Sequence, residues 1–159
     1  MTFVVDCMLG KAAKWLKILG FDAVFFSRAE DDRLLSIARD ERRTLLTRDH
    51  ALVARAKARG VACLLIESEV WEEQVRQVLV DLDLLGEVRP FSRCVECNVP
   101  LKPLSRENAA NLVAPFVLEH EKEFSLCPAC GRVFWPGTHH EDMEAKIVAL
   151  LKGDTIPIS

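Results

Sequence analysis

The sequence has no long apolar run, no basic leader and no surplus of positive charge, and each lack removes a class of function. No uncharged apolar stretch approaches the ~18 residues that a helix needs to cross a bilayer. Met1 to Asp6 carries no basic residue and reaches a carboxylate before an apolar segment can build up, so it does not read as a signal peptide. The expectation is a soluble, cytoplasmic protein with no membrane partner. Lys and Arg total 21 against 24 Asp and Glu, a formal net charge of -3, so there is no general basic coat. Binding to nucleic acid would then depend on a local patch, with modest and salt-sensitive non-specific affinity. Between positions 39 and 59, Arg39, Arg42, Arg43, Arg48, Arg55, Lys57 and Arg59 outnumber Asp40, Glu41 and Asp49. A basic patch and an ordinary solvated helical face explain that run equally well.

Six cysteines in a reducing compartment point to metal ligation before disulfides. Cys94-Val-Glu-Cys97 and Cys127-Pro-Ala-Cys130 are two hooks separated by 29 residues, and their thiolates can close a tetrahedral zinc site. A redox dithiol and an iron–sulfur cluster are the alternatives. The pairing of two hooks, with Gly131 free to turn tightly beneath the metal, favours structural zinc. A closed site of four cysteines has no open position with which to activate water. Its net charge of about -2 also suits phosphate poorly. Cys7 and Cys63, in or beside predicted strands, read as buried core thiols.

The 159 residues, 50% hydrophobic, allow one ordinary core and a small appendage, divided here as 1–90 and 91–159. Strands are expected at 2–6, 22–26, 44–47 and 61–66. Helices are expected at 9–19, from Asp31-Asp32 onward, at 49–59 and from Val70 to Leu82. Four strand–helix units in succession predict an α/β, Rossmann-like three-layer domain with a parallel sheet. A linker over 86–93 leads to a ribbon over 94–136, with a short helical insertion near 105–112 and a last helix over 139–151.

Ligands of open parallel sheets gather outside the carboxyl ends of the strands. Asp6 ends the first predicted strand, Asp49 follows the third, and Asp31 and Asp32 follow the second across a short loop; Glu67 and Glu69 lie beyond the fourth. Clustered carboxylates repel unless a hard cation neutralises them, and Mg²⁺ or Mn²⁺ held there can activate water against a phosphodiester. Helix capping is the duller role for Asp31, Asp32 and Asp49, whereas Asp6 has no obvious structural duty. Lys11 and Lys14 are possible phosphate contacts, and Arg48 is a better one because its fork can bind bidentately.

Val5-Asp6-Cys7-Met8-Leu9-Gly10-Lys11, Trp15-Leu16-Lys17, Leu19-Gly20-Phe21-Asp22, Asp31-Asp32 and Leu46-Thr47-Arg48-Asp49 together resemble the Mut-seven carboxy-terminal ribonuclease domain, a PIN-like family. The paired hooks, Cys130-Gly131-Arg132-Val133-Phe134-Trp135 and Gly137-Thr138-His139 resemble that family's terminal zinc ribbon, so the likeness covers nearly the whole chain. It implies a PIN-type fold and metal-dependent cleavage of RNA, with Asp6, Asp32 and Asp49 as Mg²⁺ or Mn²⁺ ligands. Asp31 is the alternative to Asp32, and Glu67 is the candidate for the fourth acidic position. Trp135 and His139 after the ribbon suit contact with an unpaired base or a phosphate, hence single-stranded RNA. A non-catalytic zinc-ribbon RNA-binding or adaptor protein is the competing reading, and a phospho-receiver-like domain a weaker one.

Overall fold

The computed structural model describes residues 1–137 and 140–153. Four strands, β1 (Thr2–Val5), β2 (Asp22–Phe25), β3 (Thr44–Thr47) and β4 (Cys63–Leu65), form a fully parallel sheet in the order β2-β1-β3-β4. Helices α1 (Gly10–Ile18), α2 (Asp31–Asp40), α3 (His50–Ala58) and α4 (Trp71–Asp81) make the crossovers. The chain steps from β1 to β2 on one side and then back past β1 to β3 on the other. Right-handed crossovers moving in opposite directions must lie on opposite faces of a sheet.

The run Phe3-Val4-Val5 shows this division residue by residue. Phe3 and Val5, with Leu46, join a cluster with Leu16 and Leu19 at α1, Val75 and Leu79 of α4; Val4 and Leu45 join one with Leu34 and Leu35 of α2 and Leu52 of α3. Alternate side chains of a strand point to opposite faces, so a strand covered on both sides reads as continuously apolar. The expected α/β architecture is the observed one.

The second part opens with the Cys94 hook and continues with β5 (Lys102–Leu104), α5 (Arg106–Ala109), α6 (Pro115–His120), β6 (Phe124–Leu126) and β7 (Val133–Phe134), the three strands forming an antiparallel sheet. Ser105 caps α5 by accepting from the Asn108 N–H. Helix α6 is not anticipated by the sequence pattern: it exposes Phe116 and buries none of its residues, so it has no apolar stripe to announce it. The last helix, α7 (His140–Lys152), returns to the parallel sheet, where Ile147 and Leu150 enter the α1/α4 cluster. Arg76 of α4 donates to the Leu150 and Leu151 carbonyls at its C-terminal end, which lack partners within the helix.

Gly20 ends the α1 segment with φ +96, and a Cβ there would lie 2.7 Å from Ser92 Oγ and closer still to the Arg89 carbonyl oxygen. Gly60 also has a positive φ, +68, but nothing lies within 4 Å of a Cβ there. We therefore expect Gly60→Ala to lose about 1 kcal/mol from left-handed strain alone, and Gly20→Ala more than ~2 kcal/mol, because backbone must also move. Thermal unfolding of the two variants measures the difference; equal losses would show that the approach of the linker to α1 is unimportant.

Candidate active site and zinc centre

Strand order reverses at β1, so the carboxyl ends of β1 and β3 are the switch point at which open parallel sheets take their ligands, and Asp6 and Asp49 stand at those two ends. Asp6 is 5% exposed. Its Oδ1 accepts from the Cys7 N–H at 2.7 Å and its Oδ2 from the Thr47 hydroxyl at 2.7 Å. The Thr47 oxygen in turn accepts from the Asp49 N–H at 3.0 Å, so one buried hydroxyl ties the two acidic residues together. Asp49 caps α3, its Oδ1 accepting from Ala51 and Leu52 N–H. A carboxylate oxygen has two lone pairs, so these anchors leave both acids with acceptor capacity for a further partner. Capping and ligation are compatible roles for Asp49.

Thr47 is the residue that a search for carboxylates passes over. Its signal in the sequence is a hydroxyl ending the apolar stretch Leu45-Leu46-Thr47, because a buried hydroxyl must find partners. Cys7 corrects the expectation of a core thiol. It is exposed, because the chain leaves β1 in a tight turn over Cys7–Leu9 that buries only Leu9. Partial burial, the Asp6 charge, a hydrogen bond to Asp6 and the Asp31 charge together raise the thiol above its ordinary pKa. Cys63 is partly buried beside the α2/α3 cluster.

That influence puts Asp31 within electrostatic reach of the Asp6 turn. Asp32 turns away to α3: Arg55 and Arg59 both pair with its Oδ1, the latter at 3.6 Å, and Arg55 also reaches Asp31 Oδ2 at 3.4 Å. The basic run between positions 39 and 59 is largely consumed by such pairs. Arg39 binds Asp40, Arg43 binds Asp22 and Glu41, and Arg48 lies 3.6 Å from Glu69. Arg48 also donates towards the Glu67 carbonyl at 3.5 Å, while its Nε is buried with no partner. Glu67 is exposed and its backbone N–H is bound to Gln77. Lys11 is exposed near the start of α1 with its ammonium 5.1 Å from the Trp71 ring centre. His139 lies outside the described residues.

Among the described residues, Cys94, Cys97, Cys127 and Cys130 are the group of potential ligands that gathers, with all four sulfurs within 4.8 Å of one another. Zn–S bonds of about 2.3 Å in a tetrahedron put sulfurs about 3.8 Å apart, so the four fit a zinc ion with little adjustment. Asp6, Asp31 and Asp49 form no such group. Each hook is a knuckle: the Cys97 N–H points at Cys94 Sγ at 3.4 Å and the Cys130 N–H at Cys127 Sγ at 3.5 Å. The residue after each hook, Asn98 at φ 57 and Gly131 at φ 75, takes the left-handed turn this geometry requires. Burial opposes ionisation of Cys127, but the Cys130 and Ala129 N–H groups and neighbouring thiols bring its pKa down to about 7. Hydrogen bonding with Cys130, then burial, pushes Cys97 up to about 12.

The first knuckle docks against β2. Asn98 Oδ1 accepts from the Ala23 N–H at 3.1 Å, and its Nδ2 donates to Asp22 Oδ1 at 2.6 Å. Burial would raise the Asp22 carboxyl, but hydrogen bonds from Arg43 and Asn98 overcome it and hold the group below the usual carboxylate range. Asp22 begins β2 and pairs with Thr2 at the start of β1, so this anchor sits at the strand ends remote from Asp6 and Asp49. A cleft of about 1200 Å³ lies between α1, the linker, the ribbon and α7, with Lys14, Phe91, Trp135 and His140 among its walls. There His140 pairs with Glu144 at 2.9 Å and lies against Phe91.

None of the described helices is long and apolar enough to cross a membrane. No curated protein and no solved structure matches the chain. A family model described as the Mut7-C RNAse domain matches residues 1–147, the parallel sheet, both cysteine hooks and most of α7 included. With that match over most of its length, the chain belongs to the Mut7-C RNAse domain family.

Proposed function

We propose that the protein is a metal-dependent ribonuclease that hydrolyses single-stranded RNA at the carboxyl ends of β1 and β3. The carrying observation is Asp6, a carboxylate 5% exposed at the end of an apolar strand, oriented by Thr47 and left with acceptor capacity. Membership of a ribonuclease family gives the reaction class.

Asp6, Asp49 and Asp31 would hold Mg²⁺ or Mn²⁺; all three offer hard oxygen donors, the set such ions take. The cation, when bound, supplies charge neutralisation at the phosphodiester and a more acidic water. Asp31 is preferred to Asp32 because Asp32 is held by both Arg55 and Arg59, whereas Asp31 meets Arg55 alone, at 3.4 Å. Thr47 holds Asp6 in register with Asp49, and Lys11 at the start of α1 is the candidate for a phosphate oxygen. Arg48, drawn towards Glu69 and the Glu67 carbonyl, is a phosphate clamp only if it exchanges those partners. His139 is retained as a substrate contact on sequence grounds. The four cysteines hold structural zinc, and the ribbon shapes the RNA path.

The test is incubation of purified protein with single-stranded RNA and Mg²⁺ or Mn²⁺. Cleavage is expected, falling roughly 10²-fold in Asp31→Asn, the loss of one ligand to a catalytic cation, and less than about threefold in Asp32→Asn. Binding of RNA without cleavage under every divalent ion would instead establish a non-catalytic RNA-binding protein. The reverse ranking of the two variants would exchange the roles of the neighbouring acids.

A further inference from the structure

We propose that Trp71 and Lys11 form a nucleobase-stacking subsite beside the acidic strand ends, taking one unpaired base on the indole and its phosphate on the ammonium; this rests on the ribonuclease reading. Trp71 begins α4 just beyond β4, and Lys11 lies one residue into α1 just beyond β1, so both belong to the edge that carries Asp6. Trp15, 7% exposed, stacks on Trp71 with ring centres 4.7 Å apart and planes 17° from parallel. A ring at that distance fills one face of the partly buried indole, and the Lys11 ammonium also lies over the Trp71 ring, 5.1 Å from its centre.

The cover is replaceable. Lys11 is exposed on a flexible stem and has no carboxylate among its described partners, so a base can take its place while the ammonium swings to the adjoining phosphate. Trp71 itself is fixed from beneath by Trp15, which makes it a rigid platform. Met8 and Val70 are exposed apolar side chains, 54% and 49%, at the turn after β1 and at the N-cap of α4, the two segments that lead into the helices carrying Lys11 and Trp71. The nearby acids are directed elsewhere. Glu69 faces Arg48, Glu73 binds Ser68, and Glu72 and Glu73 line the groove towards α7. Exposed apolar side chains, an aromatic face and one mobile cation match an unpaired nucleotide and do not fit a duplex, whose bases offer no free face.

The experiment uses full-length, zinc-loaded Asp6→Asn protein and a fluorescein-labelled oligoadenylate, with binding followed by anisotropy so that cleavage does not intervene. Trp71→Leu, which keeps apolar bulk over Trp15 but removes the π face, is expected to weaken binding about tenfold. Trp71→Phe should stay within about threefold of the parent, and Lys11→Met should lower the salt dependence by about one phosphate contact. An abasic oligomer should bind weakly and be indifferent to Trp71→Leu, a contrast that general loosening of α4 would not produce. Equal oligoadenylate binding by Trp71→Leu and its parent overturns the subsite, while the nuclease reading stands or falls separately on cleavage by the wild type.

Discussion

Asp6→Asn is expected to abolish RNA cleavage, by ~10³-fold or more, in a protein that still folds. The substitution removes the charge with which this position would hold a hard cation, and it does so at the residue that Thr47 and the Cys7 N–H orient most tightly. Asparagine has nearly the same volume, and its carbonyl oxygen still accepts from one of those donors. Loss of the other bond costs about 1 kcal/mol, a small part of a typical domain's stability. Cleavage in Mn²⁺, set beside the thermal unfolding curve, distinguishes the two effects. Activity within about tenfold of wild type in a folded Asp6→Asn protein would remove Asp6 from the chemistry.

Removal of zinc should have the largest effect on structure, and it should be confined to one part of the chain. The three short strands of the ribbon add few side chains to any core, and among the residues from 94 to 137 the buried hydrophobic groups are Cys94, Ala109, Phe124 and Cys127. So small a core does not hold a module together, whereas a four-cysteine zinc site is worth on the order of 10 kcal/mol of apparent folding energy at neutral pH. Chelation, or Cys127→Ser, should therefore collapse amide protection in β5, β6 and β7 while β1 and β3 keep theirs. Hydrogen exchange measures both, and metal analysis should find one zinc per chain beforehand. Full protection of the ribbon after complete loss of metal would show that packing alone holds it.

Where the sequence was readable, residue type alone determined local structure. Phe3-Val4-Val5 could serve only a strand covered on both faces, and Cys94, Cys97, Cys127 and Cys130 were bound to converge if they shared a metal. Asp6 was recognisable because a carboxylate ending such a strand has no solvent to serve. What could not be read depends on partners far along the chain. Arg55 and Arg59 belong to a basic run until α2 packs beside α3 and delivers Asp32 to them. Thr47 becomes important only when β1 and β3 are neighbours, and Trp71 only when α4 lies along α1. Cys7 resembled a core thiol because it stands beside a predicted strand, and it is the tight turn over Cys7–Leu9 that exposes it.

The return of α7 also governs the order in which this protein can be made. Ile147 and Leu150 complete an apolar cluster whose other members lie mainly before residue 90, so a chain emerging from the ribosome holds an unfinished core until the last helix follows. The cysteine hooks emerge before that helix, so the ribbon can take up its metal first. A chain ending at residue 137 would hold all four cysteines and all three proposed acidic ligands, Asp6, Asp31 and Asp49, yet show sticky apolar surface where α7 belongs. Zinc capture would then precede closure of the domain that carries Asp6, and truncation before residue 140 should yield aggregation-prone protein even when it is metal-loaded.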